Sequence, residues 1–186
     1  MCVKGNQYFE RKVRMFEIGT YVVYGNTGIC RIEDITTLDM PWANSERKYY
    51  IMSPIRAQGS RDYLPVDNNK VVLRKVISKE EALELIDRIP EIELLEVDND
   101  KLREEKYREL AKQSDCASWI TIIKTIYLRK QERIAQGKKI TATDDRYYKM
   151  AVEHLYSELG FALDKEPSEI EEFITNRIEL YKGQNV

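Results

Sequence analysis

Histidine is nearly missing from this chain and cysteine is sparse, and both shortages narrow its chemistry. His154 is the single histidine in 186 residues. It stands between Glu153 and Leu155 in a helical stretch, where it reads as a surface or core-edge residue rather than a metal ligand. The three cysteines, Cys2, Cys30 and Cys116, are scattered, with no CxxC pair and no neighbouring histidine. This spacing argues against a disulfide framework and a zinc site and favours a reduced, cytoplasmic compartment. No apolar run approaches the roughly 18 to 20 residues of a membrane span. The opening MCVKGNQYFERKVR lacks the apolar centre of a signal peptide, which speaks against export. The motifs GxxxxGK(S/T), GxGxxG, HExxH and GxSxG do not occur. Glu80-Glu81 and Glu171-Glu172 are adjacent pairs whose side chains fall on different helix faces, so neither makes a carboxylate dyad. With no catalytic constellation, no metal site and no cofactor site, the chain reads as a binding protein rather than an enzyme.

What is present begins with FEIGTYVVYGNTGICR, Phe16 to Arg31. Residues 18–24 and 28–35 are rich in β-branched and aromatic types, and Gly25-Asn26-Thr27-Gly28 between them tolerates positive φ, so the stretch predicts a β-hairpin. Pro41, Asn44 and Ser45 make a loop of 36–46. Trp42 in that loop reads as a lid over the small core, with a contact residue as the alternative. Further strands are expected at 47–52, 61–66 and 70–74, with Pro65 marking an edge or strand end because proline cannot donate to a ladder. Five short strands in about 60 residues predict a small Tudor- or SH3-like barrel, partly open at its edges.

At Ser78 the apolar period changes from two to about 3.6, and Ser78 with Glu81 forms a capping box. Pro90 ends this short helix, and the acidic stretch 91–100 reads as a linker, with Asp98, Asn99 or Asp100 capping the next helix. Four helical segments follow: 100–113 with Leu102, Tyr107 and Leu110; 115–136 with Trp119, Ile122, Ile123, Ile126 and Tyr127; one from Thr141 with Tyr147, Ala151, Leu155 and Leu159; and one from Ser168, boxed with Glu171. The fold class expected is α+β in two domains, an N-terminal small β-barrel and a C-terminal all-α bundle. The expected boundaries are 1–14 (disordered extension), 15–76 (barrel), 77–97 (short helix and linker) and 98–182 (bundle).

Charge is unevenly spread. The formal net charge is −2, yet residues 124–149 hold eight basic residues against three acidic ones. Such a concentration is either a solvated helix face or a surface for nucleic-acid phosphates. The candidates are Lys101, Arg103, Lys106, Arg129, Lys130, Arg133, Lys138, Lys139, Arg146 and Lys149. Lys139 precedes a helix start, where free N–H groups also favour an anion.

A chain with MFEIGTYVVYGNTGICRI at its start, YLPV near residue 64 and YLRKQERIAQGKKIT near 130 resembles the CarD/CdnL family of bacterial transcription regulators. Its N-terminal part is similar to the RNA-polymerase-interacting module of transcription-repair coupling factors. The likeness spans Met15 to Asp164. It implies a non-catalytic, monomeric regulator whose barrel docks on the RNA polymerase β subunit. The helical domain then reaches promoter DNA at the upstream edge of the bubble and alters open-complex stability. By position, the polymerase contacts fall on Thr37, Leu38, Asp39, Tyr63 and Pro65. The better-known members carry arginine where Leu38 and Tyr63 stand here. The tryptophan that many of them wedge into the minor groove aligns at or near Asp100, the next aromatic being Tyr107, while Trp119 aligns with a core position. The alternative class is a protein-interaction adaptor that does not touch DNA.

Overall fold

Two glycines make the first corner. Gly25 and Gly28 take φ of 42° and 85°, a region that a Cβ disfavours. The 3-10 turn Gly25–Thr27 between them folds β1 (Tyr21–Tyr24) onto β2 (Gly28–Thr37). In this computed structural model, which describes residues 16–57, 59–97 and 99–184, β3 (Lys48–Pro54), β4 (Asp62–Pro65) and β5 (Leu73–Lys75) complete one antiparallel sheet of order β4-β3-β2-β1-β5. The expected extension over 1–14 lies outside the described residues.

Several strand ends differ from their expected places. Ile18 and Gly19 form a turn instead of opening β1, with Gly19 N–H donating to Ile32 O at 2.7 Å. Pro54 closes β3 as its last residue rather than stopping it earlier. The fifth strand begins at Leu73, not Lys70, because Asn68 holds the preceding residues in a turn. Its Oδ1 accepts from the N–H groups of Lys70 (3.0 Å) and Val71 (3.2 Å), the local bonding that asparagine brings to turns.

The sheet encloses its own small core of Val22, Cys30, Ile32, Tyr50, Met52 and Leu64. Burial pushes the Cys30 thiol up to about 12, with Asp62 adding to the effect. A register shift between Ile32 and Asp34 marks a bulge that bends β2. The edge strands β4 and β5 are not paired with each other, so the barrel stays open along that seam.

The helices are α1 (Lys79–Asp87), α2 (Asp100–Gln113), α3 (Cys116–Ala135), α4 (Ala142–Leu163) and α5 (Ile170–Gln184). Their caps are local chemistry. Ser78 and Glu81 form the capping box of α1, Asn99 accepts from Lys101 N–H and Leu102 N–H, Asp115 accepts from Ser118 N–H, and Thr141 accepts from Asp144 N–H. The last helix starts differently from expectation. Glu169, not Glu171, reaches back, its carboxylate accepting from Glu166 N–H at 2.9 Å, because Pro167 fixes φ for the first turn one residue ahead of Ser168.

These helices share a second core, separate from that of the sheet. It holds Trp119, Ile122 and Ile126 of α3, the expected Tyr147, Ala151, Leu155 and Leu159 of α4, and Ile170 of α5. Ala82 and Ile86 of α1 belong to the same core, so α1 is part of the helical domain and not a spacer. Nor is the acidic stretch after it a loose linker. Lys124 Nζ donates to the carbonyls of Ile89 and Ile92 at 2.7 and 2.6 Å, and Leu95 N–H to Thr125 Oγ1 at 2.9 Å, which fastens the segment along α3. On α2 the inward line is Arg103, Tyr107 and Ala111; Leu102 is exposed instead. Tyr127, expected in the α3 stripe, lies one position past its edge and is 53% exposed.

The two cores meet across a joint carried by the second half of α4. Arg74 of β5 donates to both carboxylate oxygens of Glu158, at 2.5 and 2.6 Å, and to Ser114 O at 2.8 and 2.6 Å. Ile77 N–H donates to the same carboxylate at 3.2 Å. Tyr21 and Phe161 meet ring to ring at 4.8 Å, and Arg56 pairs with Glu153 at 2.6 Å. His154 stacks on Trp119 at 4.9 Å. Its Nδ1 lies beside Gly28 in the hairpin turn.

Candidate functional site

The sheet presents an edge that another backbone can extend. Val66 N–H donates to Lys48 O, and the register pairs Tyr50 with Leu64 and Met52 with Asp62. Alternation of an antiparallel ladder then turns the N–H and C=O of Tyr63 away from β3, toward the open side of β4. An unpaired edge of this kind is the geometry used in strand addition.

The residues expected to touch a polymerase gather at one end of this edge. Thr37 pairs with Lys48 at the end of β2, next to the pairing of Thr36 with Tyr49, and Tyr49 in turn faces Pro65. Thr37 and Asp39 are exposed, and Tyr63 and Pro65 are half-buried. Leu38 is 7% exposed, its apolar side chain turned inward at the strand end. The lid expected of Trp42 is not what the structure has. Trp42 is 60% exposed and leans edge-on against Tyr63 (5.6 Å) and Tyr49 (6.2 Å).

The basic residues divide into two groups. Lys101, Lys130, Lys138 and Lys139 are exposed. Arg133 Nε donates to Lys139 O at 2.8 Å, which folds the α3–α4 turn back and collects Lys130, Lys138 and Lys139 at one corner. The others are engaged by groups of the protein itself, Arg103 buried, Arg129 half-buried and the rest at the surface. Arg103 is 8% exposed and donates to Val97 O. Arg129 pairs with the buried Asp144 at 3.0 Å. A buried charge without a partner is costly: Arg129 supplies that partner to Asp144, and Arg103, itself buried, is held by Val97 O, so both serve the core before any ligand. Lys106 pairs with Glu109, Arg146 with Glu104 and Lys149 with Asp145, all at 2.7 to 2.9 Å on the surface.

The aromatic residues of the helical half do not supply the wedge that the resemblance places near Asp100, whose side chain lies outside the described residues. Tyr107 is fully buried against Tyr147 and Asp144, and burial followed by the Asp144 charge pushes its phenol up. Trp119 is core, as expected, at 1% exposure. Tyr127, three residues from Lys130, is the exposed aromatic of α3. Its exposure turns on the rotation of α3, which the apolar pattern leaves uncertain by one residue.

Among the described residues no group of three or more His, Cys, Asp or Glu is placed to hold a metal ion, and no helix is long and apolar enough to cross a membrane. No curated protein matches the chain. A family model, that of the CarD-like/TRCF RID domain, matches residues 16–77. The matched span runs from Phe16, whose N–H donates to Tyr50 OH at 3.0 Å, to Ile77, where the backbone meets Glu158. It therefore covers the whole sheet and stops one residue before the cap of α1. The helices lie outside it. The match points to a transcription-related, RNA-polymerase-interacting role. Residues 16–77, an open five-stranded sheet with its own core and a third of the chain, are thus similar to the CarD-like/TRCF RID domain.

Proposed function

We propose that this protein is a non-catalytic, monomeric, cytoplasmic transcription regulator that docks on the RNA polymerase β subunit through the open edge of β4 and the end of β2. Its helical half then contacts promoter DNA near the upstream edge of the bubble and changes open-complex stability. The observation that carries this reading is the RID-domain match over a sheet whose β4 edge, at Tyr63, aims backbone donors and acceptors outward. The DNA part draws support from the exposed corner of Lys130, Lys138 and Lys139, with Lys101 on α2. Lysines bind phosphates by charge without reading sequence, and Lys139 stands just ahead of the α4 N-terminus.

A pull-down on the isolated β-lobe of polymerase tests the docking, with wild type expected to bind and Tyr63→Glu to lose binding. Failure of wild type sinks the reading. A band shift of promoter DNA by the full chain across a salt series tests the DNA contact. The full chain is required because α1 completes the helical core. The second reading, an adaptor that holds polymerase without touching DNA, is favoured by the internal engagement of Arg103 and Arg129 and the surface pairing of Arg146 and Lys149. Absence of any shift at low salt selects it.

A further inference from the structure

We infer that Trp42 is the apolar anchor of the docking edge, and that the polymerase strand added to β4 meets it with an aliphatic or proline side chain rather than an acidic one. This rests on the polymerase-docking reading above and says which chemistry makes that contact. Trp42 combines two properties seldom found together on a surface. Its ring is 60% exposed, yet it is held edge-on by Tyr63 and Tyr49. The loop that carries it is also tied down. Ala43 N–H donates to Met40 O at 3.0 Å, Arg47 N–H to Asn44 O at 3.1 Å, and Asn44 N–H to the hydroxyl of Tyr49 at 3.0 Å. A large side chain already positioned loses little freedom when covered, which is the condition for an interface hot spot. Met40, 38% exposed, brings a second apolar side chain from the same loop.

The occupant follows from position and charge. The outward N–H and C=O of Tyr63 require a partner offering both an acceptor and a donor at strand spacing, which an extended polypeptide supplies. Trp42 rests on the ring of that same residue, so a strand paired there passes beside the indole. The flanking charges are Asp39, Glu46, Asp62 and Asp67 against Arg47, Lys48 and Arg61, and Arg47 is already paired with Asp67 at 2.9 Å. Acids outnumber bases, so a carboxylate brought in by the partner would lose water and meet more like charge than opposite charge. An uncharged side chain on the indole has no such cost.

The test measures the affinity of the full chain for purified core RNA polymerase, using wild type, Trp42→Ala, Trp42→Phe and Trp42→Arg. Thermal melting verifies that each variant is folded. Wild type is expected to bind with an affinity that changes less than about threefold between roughly 0.05 M and 0.3 M salt, since contacts between uncharged groups are little screened. Trp42→Ala should weaken binding at least about tenfold and Trp42→Phe much less, as for a hot-spot aromatic. Failure of wild type to bind overturns the polymerase reading and this inference with it. Wild-type binding with Trp42→Ala unchanged overturns the inference alone. So does a Trp42→Arg variant that binds more tightly than wild type with steep salt dependence, because that result would place an acid opposite.

Discussion

Removing the Arg74 guanidinium is the sharpest way to test how the two halves are held together. The Glu158 side chain is only 3% exposed, and Arg74 binds both of its oxygens while also satisfying the carbonyl of Ser114. Arg74→Met keeps the aliphatic stem but strands the carboxylate, leaving it the Ile77 N–H and the Cys116 thiol and no cation. Breaking one side of a buried ion pair costs about 3 to 5 kcal/mol. For a chain of this size each kcal/mol lowers Tm by about 2 to 4 °C, so a fall of about 6 to 20 °C is expected. The double variant Arg74→Met with Glu158→Met should recover most of the loss, because the charge is no longer buried alone. Thermal and urea unfolding followed by circular dichroism would read both effects. Since sheet and helices have separate cores, the single variant should also split one transition into two. A loss under about 1 kcal/mol in one unchanged transition would refute the reasoning, for it would mean that water or another cation already serves Glu158.

Burial depresses the pKa of His154 below its ordinary 6.5, with Arg56 acting in the same direction and Glu153 and Glu158 opposing. The unfolded chain therefore binds a proton that the folded one resists, and stability should fall as pH drops below about 6.5; His154→Gln should flatten that part of the Tm–pH curve. In DNA binding, the exposed Lys101, Lys130, Lys138 and Lys139 should give a log–log salt slope of about −3 to −4, and Lys139→Ala should reduce its magnitude by about 1. A Cβ at Gly160 would lie 2.8 Å from Lys165 O, a backbone atom that cannot turn aside. Gly160→Ala should thus cost about 1 to 3 kcal/mol in urea unfolding. Asp164 caps α4 at φ 53°, and Asp164→Gly should raise stability by up to about 1 kcal/mol by removing that strain.

Much of this molecule was legible in one dimension. The hairpin followed from Gly25 and Gly28, the start of α1 from Ser78 and Glu81, and the core face of α4 from Tyr147, Ala151, Leu155 and Leu159, because turns, caps and helix faces depend on residues a few positions apart. The candidate site was legible only in outline. YLPV marked an edge strand, but the inward turn of Leu38 and the exposure of Trp42 depend on what packs beside them. Basic residues were visible as a cluster, whereas the commitment of Arg129 to Asp144 and of Arg103 to Val97 was not.

What the order of residues settled alone is the pair of local programmes, short strands punctuated by Gly, Pro and Asn, then amphipathic helices with their caps. What only the folded molecule decided is which charges meet. Arg74 and Glu158 are 84 positions apart, and no local period encodes such a pairing; it arises when α4 is laid across the sheet and a carboxylate driven out of water must find its cation there.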